Sequence, residues 1–225
     1  DALVLESPDG LTRLAAFREG RFTVQDESAM LVAAIVDPQP GERILDTCCA
    51  PGGKTTHLAE RMGNRGSVTG WDLHANKLGL VRESAERLGI SIIGVRPQDA
   101  TRDVPESHGA YNRVLVDAPC SGTGIIRRKP DIKWNRTRAD VAALVEIQDR
   151  ILYNAGRYVK PGGVLVYSTC SMERAENEEA CSRFLSRSAT DGPAFAADAD
   201  MPYRRLFPDN PETDGFFIAR FRRMS

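Results

Sequence analysis

The chain is short of the features that mark several broad classes of protein. Its longest uninterrupted apolar run, Met30 to Val36, falls far below the roughly 20 residues that a helix needs to cross a bilayer. No basic, apolar and small-residue sequence resembling a signal peptide opens the chain, so a cytoplasmic protein with no membrane partner is expected. Cysteines number five, an odd count, and no two have C-x-x-C spacing, which argues against a disulfide framework and a structural zinc site; no metal is expected. Neither sign of charge dominates: 30 Lys and Arg against 31 Asp and Glu give a net charge of −1. Any affinity for nucleic acid must therefore reside in local clusters. Internal repeats and low-complexity segments are missing, and the Ala- and Asp-rich stretch Ala189 to Asp200 reads as a surface loop. The first residue is Asp rather than Met, and the pattern begins midway. The expectation is a trimmed natural chain whose N-terminal domain is missing, and a monomer by default.

What remains is an ordinary globular composition, 41% hydrophobic and 27% charged over 225 residues, enough for one substantial core and at most a small appendage. Short runs of Val, Ile and Leu alternate with longer helical patterns, the signature of βα units and a mostly parallel sheet. Strands are predicted at Arg43 to Asp46, Ser67 to Asp72, Ile90 to Val95, Arg113 to Asp117 and Val164 to Ser168. Helices are predicted over Lys54 to Met62, Asn76 to Leu88 and Arg138 to Tyr158. Gly89 supplies a C-terminal cap for the second of these, and Pro161-Gly162-Gly163 turns the chain after the third. Tyr203 to Phe207 and Phe216 to Phe221, separated by a Pro-, Asn-, Asp- and Gly-rich stretch, read as an antiparallel pair. The fold class is α/β, a twisted sheet with helices on both faces.

In such a sheet ligands bind outside the carboxyl ends of the strands. The first strand runs into Asp46-Thr47-Cys48-Cys49-Ala50-Pro51-Gly52-Gly53-Lys54-Thr55, a turn whose glycines let the backbone approach a ligand before a helix N-terminus. It matches neither the phosphate-loop pattern G-x-x-x-x-G-K-[ST] nor the dinucleotide pattern G-x-G-x-x-G. Asp72, ending the second strand, is placed to take the hydroxyls of a ribose, and Asp99, after the third, to address an adenine edge. This suits a nucleoside without a pyrophosphate. S-adenosylmethionine adds a cationic sulfur that tolerates nearby carboxylates.

The fourth strand leads into Asp117-Ala118-Pro119-Cys120-Ser121-Gly122-Thr123-Gly124 and the fifth into Tyr167-Ser168-Thr169-Cys170-Ser171, so two thiols face one crevice if both strands are central. Cys48, Cys49 and Cys181 read more simply as small buried hydrophobes. Arg127, Arg128, Lys129, Lys133, Arg136 and Arg138 cluster around Trp134 against the single acid Asp131, a candidate for phosphate contact with a stacking ring; the competing reading is a solvated loop before a basic helix start.

Cys-Cys-Ala-Pro-Gly-Gly-Lys, Asp-Ala-Pro-Cys-Ser and Ser-Thr-Cys-Ser, in this order and spacing, resemble the RNA 5-methylcytosine methyltransferases of the Nol1/Nop2/Sun family, over Phe17 to Phe221. The stretch Thr123 to Trp134, with Phe22 to Asp26 and Asp214 to Phe217, is similar to the bacterial Sun branch, whose members modify a cytosine of 16S ribosomal RNA. The resemblance implies a Rossmann-like fold that binds S-adenosylmethionine through Cys48, Cys49, Ala50, Pro51, Gly52, Gly53, Lys54, Asp72, Asp99 and Asp117. It gives Cys170 the role of covalent nucleophile, Cys120 that of assisting proton removal or enzyme release, and Asp117 reach to the base. It also implies an N-terminal RNA-binding domain, which makes residues 1–26 a remnant of an upstream portion and 27–225 the catalytic domain. Cys49 departs mildly from the pattern, since many relatives carry a small residue there.

Carbon 5 of cytosine is a poor nucleophile until a thiolate adds to carbon 6. An ordinary thiol, with a pKa near ~8.5, is only slightly ionised at neutral pH, so the site has to favour the thiolate or remove its proton. Acid assistance from Asp117, either protonated or bridged to N3 of the cytosine, is one expectation. DNA cytosine methyltransferases attack through the Cys of a Pro-Cys pair, and residue chemistry alone leaves Cys120 and Cys170 open as nucleophile; the resemblance favours Cys170. A target base must leave its stack first, so a loop or unpaired cytosine is expected. Two other readings stand beside this one: a tRNA-directed enzyme of the same family, and a non-catalytic RNA-binding or ribosome-assembly factor retaining the fold.

Overall fold

The computed structural model describes residue 3 and residues 10–199, 203–208 and 213–224. In chain order its main elements are α1 (Ala15–Arg18), α2 (Glu27–Val36), β1 (Arg43–Asp46), α3 (Gly53–Arg61), β2 (Ser67–Asp72), α4 (Leu78–Arg87), β3 (Ile93–Pro97) and β4 (Tyr111–Asp117). There follow α5 (Ile132–Asn135), α6 (Arg138–Tyr158), β5 (Val159–Thr169), α7 (Glu178–Thr190), β6 (Phe195–Ala197), β7 (Tyr203–Leu206) and β8 (Phe216–Arg223). The strands form one sheet in the order β3-β2-β1-β4-β5-β8-β6, with β7 also on β8. The first five pair in parallel; β5 with β8, and β6 and β7 with β8, pair antiparallel. The expected α/β class and the antiparallel C-terminal strands are therefore both present.

The central strands alternate between two buried faces, as a period of two demands when helices cover both sides. Val114, Val116, Leu165, Tyr167, Phe217 and Phe221 pack with Ile151, Leu152 and Tyr158 of α6 and Phe184 of α7. Leu115, Val164, Val166, Phe216 and Ile218 pack with Val32, Val36 and Leu58 from α2 and α3. Each fully buried side chain of this size contributes about 1.5–3 kcal/mol.

Local signals set the element ends. Thr137 and Asp140 form a reciprocal capping box at the start of α6. Asp26 caps α2 by accepting from the Ser28 amide at 2.9 Å. Several bounds differ from expectation. β3 starts three residues later than Ile90, because Ile90 and Ile92 pack beneath the sheet as part of the connection. β5 starts at Val159, so Pro161-Gly162-Gly163 lies within it as an irregularity in register against β4 rather than ahead of it. The segment expected as a loop from Ala189 contains the end of α7 and β6, where Phe195 sits 5.2 Å from Phe184. Residue 200 and part of the turn-rich stretch, 209–212, lie outside the described residues, as do most of residues 1–9. The segment before α2 is docked on α4: Arg87 donates to the carbonyls of Phe17 and Phe22 and stacks over the Phe17 ring at 3.8 Å. No helix among the described residues is long and apolar enough to cross a membrane.

Candidate active site

Strand order reverses direction at β1, between β2 and β4, and the carboxyl ends of β1 to β5 open one crevice there. Asp46 closes β1. It is buried and accepts from Thr55 Oγ1 at 2.7 Å and the Cys48 amide at 3.2 Å. Burial, opposed by these donors, pushes its carboxyl up to about 7. The sequence reading did not single it out.

The turn after it is compact. Gly52, at φ 118°, takes a backbone that side chains rarely adopt, and a Cβ there would lie 3.1 Å from the Val81 Cα. The Cys49 side chain is buried against Gly70 and packs with Leu78 and Val81, so its contribution to the crevice is confined to backbone. Cys48 is half-buried, and burial beside Asp46 holds its thiol well above the ordinary value. Asp72 accepts from the amides of Ala50 at 3.2 Å and His74 at 2.8 Å, which ties the end of β2 to this turn. Asp99 accepts from the Thr101 hydroxyl at 2.6 Å and its amide at 2.9 Å; the hydroxyl bond is the main reason its carboxyl stays below the ordinary value. Both acids remain partly open to the crevice. A glycine turn in which a Cβ would crowd α4, the N-terminus of α3 and a row of acids make a cradle for a cationic nucleoside.

On the other side of β1, Lys54 reaches back from α3 to Asp117 at the end of β4, Nζ to Oδ2 2.8 Å, and lies 5.4 Å from the Phe216 ring. Ser168 donates to the other Asp117 oxygen at 2.8 Å. Burial alone would lower Lys54, but Asp117 and Asp46 outweigh it and hold the ammonium above the ordinary lysine value. Both Asp117 oxygens are thus engaged, one by the Lys54 ammonium and one by the Ser168 hydroxyl.

Cys120 and Cys170 stand with their sulfurs 3.3 Å apart, both half-buried, and all five cysteines are free. The surroundings of the pair are not symmetrical. A hydrogen bond from Cys120 and the nearby Lys54 bring Cys170 below the ordinary thiol value against burial and Asp117, whereas the same hydrogen bond, burial and Glu176 drive Cys120 well above it. The two thiols are therefore unequal, with Cys170 the more easily ionised of the pair. Gly124 locks the loop: its amide donates to the Cys170 carbonyl and its carbonyl accepts from the Gly215 amide, both at 2.9 Å.

The basic segment is less uniform than its composition. Arg128 is bound by Asp26 and, at 2.6 Å, by the buried Asp214, so it ties the entry to α2 and the start of β8 to this loop; as a free phosphate contact it is corrected. Arg127 donates to the Thr213 carbonyl and Arg136 to the Ser121 carbonyl. Trp134 is 78% exposed beneath Lys133, 5.2 Å from its ring.

A family described as 16S rRNA methyltransferase RsmB/F matches residues 33–222. The chain belongs to this family. A ribosomal RNA small subunit methyltransferase B of Vibrio cholerae is 43% identical over 220 residues, covering 97% of this chain and 50% of that protein. The Serratia proteamaculans protein of the same name is 40% identical over 224 residues, all of this chain and 52% of the relative. The chain thus spans about half the length of the curated relatives it matches. Among solved structures, NSun6 from Pyrococcus horikoshii with SFG superposes with a TM-score of 0.85 at 30% identity, covering 96% of this chain and 56% of that one. A methyltransferase homologue protein from the same organism gives 0.81 at 32%, covering 97% and 73%. The RsmB/F region includes every residue of the crevice described above.

Residues that the sequence reading passed over complete the site: Glu176, Asn177, Gln148, Ser121 and Ser171 form a buried polar cluster behind the two cysteines. Glu176 lies in an acid-rich stretch that composition alone assigns to a solvated surface, and no spacing sets it apart.

Proposed function

We propose that this chain methylates carbon 5 of an unpaired cytosine in small-subunit ribosomal RNA, with Cys170 as covalent nucleophile. The observation that carries the reading is the pair of thiols, 3.3 Å apart, beside the Lys54–Asp117 ion pair at the carboxyl ends of β4 and β5. S-adenosylmethionine, held by the Cys48 to Lys54 turn, Asp72 and Asp99, with Asp117 bordering it, supplies an electrophilic methyl group. The Cys170 thiolate adds to carbon 6, which makes carbon 5 enamine-like and nucleophilic. Lys54 donates toward the ring nitrogen side that gains charge, and Asp117 orients that ammonium and borders the base. Once carbon 5 carries the methyl group, a base such as water takes its proton, the freed electron pair re-forms the double bond between carbons 5 and 6, and the Cys170 sulfur leaves as thiolate; Cys120, touching Cys170, assists that release. Lys129, Lys133 and Arg138 grip phosphates flanking the flipped base, and Trp134 offers it or a neighbour a stacking face.

A denaturing gel of RNA–protein adducts tests this, using unmodified small-subunit ribosomal RNA, S-adenosylmethionine and the unaltered chain beside Cys120→Ala and Cys170→Ala. Accumulation of an adduct with Cys120→Ala and its loss with Cys170→Ala is the expected result. The reverse pattern would make Cys120 the nucleophile. Methylation by Cys170→Ala at the unaltered rate would remove Cys170 from the nucleophile role.

A further inference from the structure

One buried charge has no part in the chemistry above. Glu176 is fully buried and its carboxylate accepts four hydrogen bonds. Oε1 takes the Ser121 amide and Gln148 Nε2, each at 2.9 Å; Oε2 takes the hydroxyls of Ser121, at 2.5 Å, and Ser171. Ser121 follows Cys120 and Ser171 follows Cys170, so one carboxylate grips both loops a single residue beyond each thiol. Gln148 also donates to the Pro119 carbonyl at 2.8 Å, on the near side of Cys120. Asn177 accepts from Thr169 Oγ1 at 2.6 Å and donates to the Ser171 carbonyl at 2.9 Å, bracketing Cys170 in the same way. Burying an ion costs several kcal/mol before its partners offset it, and neutral packing would join two loops at lower cost. A charge retained here calls for a role that a neutral group cannot fill.

We propose that Glu176 is a positioning residue for the covalent chemistry: its carboxylate fixes the Cys120 and Cys170 loops together and keeps the two thiols unequal in reactivity. This rests on the reading of the site as a cysteine-dependent methyltransferase. The groups facing the pair are Lys54 from α3, Asp117 from β4 and Glu176 from the turn before α7, while Tyr167 from β5 donates to the Glu176 carbonyl at 2.7 Å. The hydrogen bond between the sulfurs leads the shift at both thiols; at Cys170 burial and Asp117 oppose it and Lys54 adds to it, and at Cys120 burial and Glu176 add to it. Cys170 thus has a cation as well as a carboxylate beside it, whereas Cys120 has the Glu176 carboxylate behind it, and both loops are held by that one carboxylate. A glutamine at 176 would offer one acceptor oxygen and two donor hydrogens to four donors, losing both the charge and the grip.

The test is alkylation by iodoacetamide of the unaltered chain and Glu176→Gln across a pH series, with Cys120 and Cys170 read separately by peptide mass, beside steady-state methylation of RNA. We expect the Cys170 to Cys120 rate ratio to fall about tenfold or more in Glu176→Gln, and Cys120 to ionise at lower pH. kcat should fall about 100-fold with KM for S-adenosylmethionine changed by less than about twofold. Glu176→Asp, which keeps the charge, should recover part of the ratio. General loosening would raise the reactivity of both thiols in parallel and leave their ratio and pH dependence unchanged, and that result overturns the proposal. If Glu176→Gln melts below the assay temperature, the Ser121→Ala, Ser171→Ala double variant must lower the ratio instead, and an unchanged ratio there is equally fatal. Alkylation needs no substrate. An unaltered chain that fails to methylate RNA but shows the expected thiol ratios would therefore count against the methyltransferase reading alone.

Discussion

Asp46 holds its proton to about pH 7 because its carboxyl is buried under the turn that follows β1. Its folded value lies above its unfolded one, so between these pH values the native state binds a proton that the unfolded chain releases. Its contribution to stability is complete at low pH and is lost as pH rises through about 7. Between about pH 4 and pH 7 the unaltered chain should lose up to about 4 kcal/mol relative to Asp46→Asn. Urea midpoints measured for both across that range check this, and parallel curves would contradict it. At Asp117 the issue is charge toward Lys54. Asp117→Asn presents an amide that cannot satisfy both Lys54 and Ser168, and methyl transfer should drop about 100-fold; single-turnover transfer at the unaltered rate would show that the ion pair serves stability alone.

The loop carrying Cys120 meets the strand carrying Cys170 at Gly124, where a Cβ would fall 2.1 Å from the Gly215 carbonyl and 2.9 Å from that of Cys170. Gly124→Ala must push backbone apart and should cost about 1–3 kcal/mol, the range for overpacking, visible as a lower urea midpoint with the slope unchanged. Elements of this kind were legible in the sequence where periodicity and punctuation agree. α6 was readable over its whole length because Thr137 and Asp140 cap it and its apolar residues recur at helical spacing. α2 was not, because Met30 to Val36 is apolar throughout and conceals the period of 3.6. β6 is only three residues long and has no pattern to read. Within the site, residues at strand ends were readable from the α/β plan, as the crevice formed by Asp72, Asp117, Cys120 and Cys170 illustrates. Glu176 was not, since its importance comes from four donors delivered by three separate segments. Nor was Arg128, whose partners Asp26 and Asp214 are distant in sequence.

Across the whole molecule the positive charge is sorted by partner rather than by sequence. Lys129→Ala and Lys133→Ala should each reduce the dependence of log affinity on log salt for single-stranded RNA by roughly 0.7, the value expected for one phosphate contact. Arg128→Ala should leave that slope unchanged and instead cost about 1–2 kcal/mol of stability, because Asp214 stays buried without its cation. Filter binding over a salt series and urea denaturation separate the two effects, and a smaller slope for Arg128→Ala would return that residue to the RNA surface. The sheet also imposes an order on assembly. The strand leading to Cys170 is paired from Val164 to Thr169 with β8, which follows it by more than forty residues, and the Gly215 amide just ahead of β8 completes the Gly124 contact. Translation therefore delivers every residue of the nucleoside crevice before residues 215–223, which supply the antiparallel partner of β5 and close the contact at Gly124.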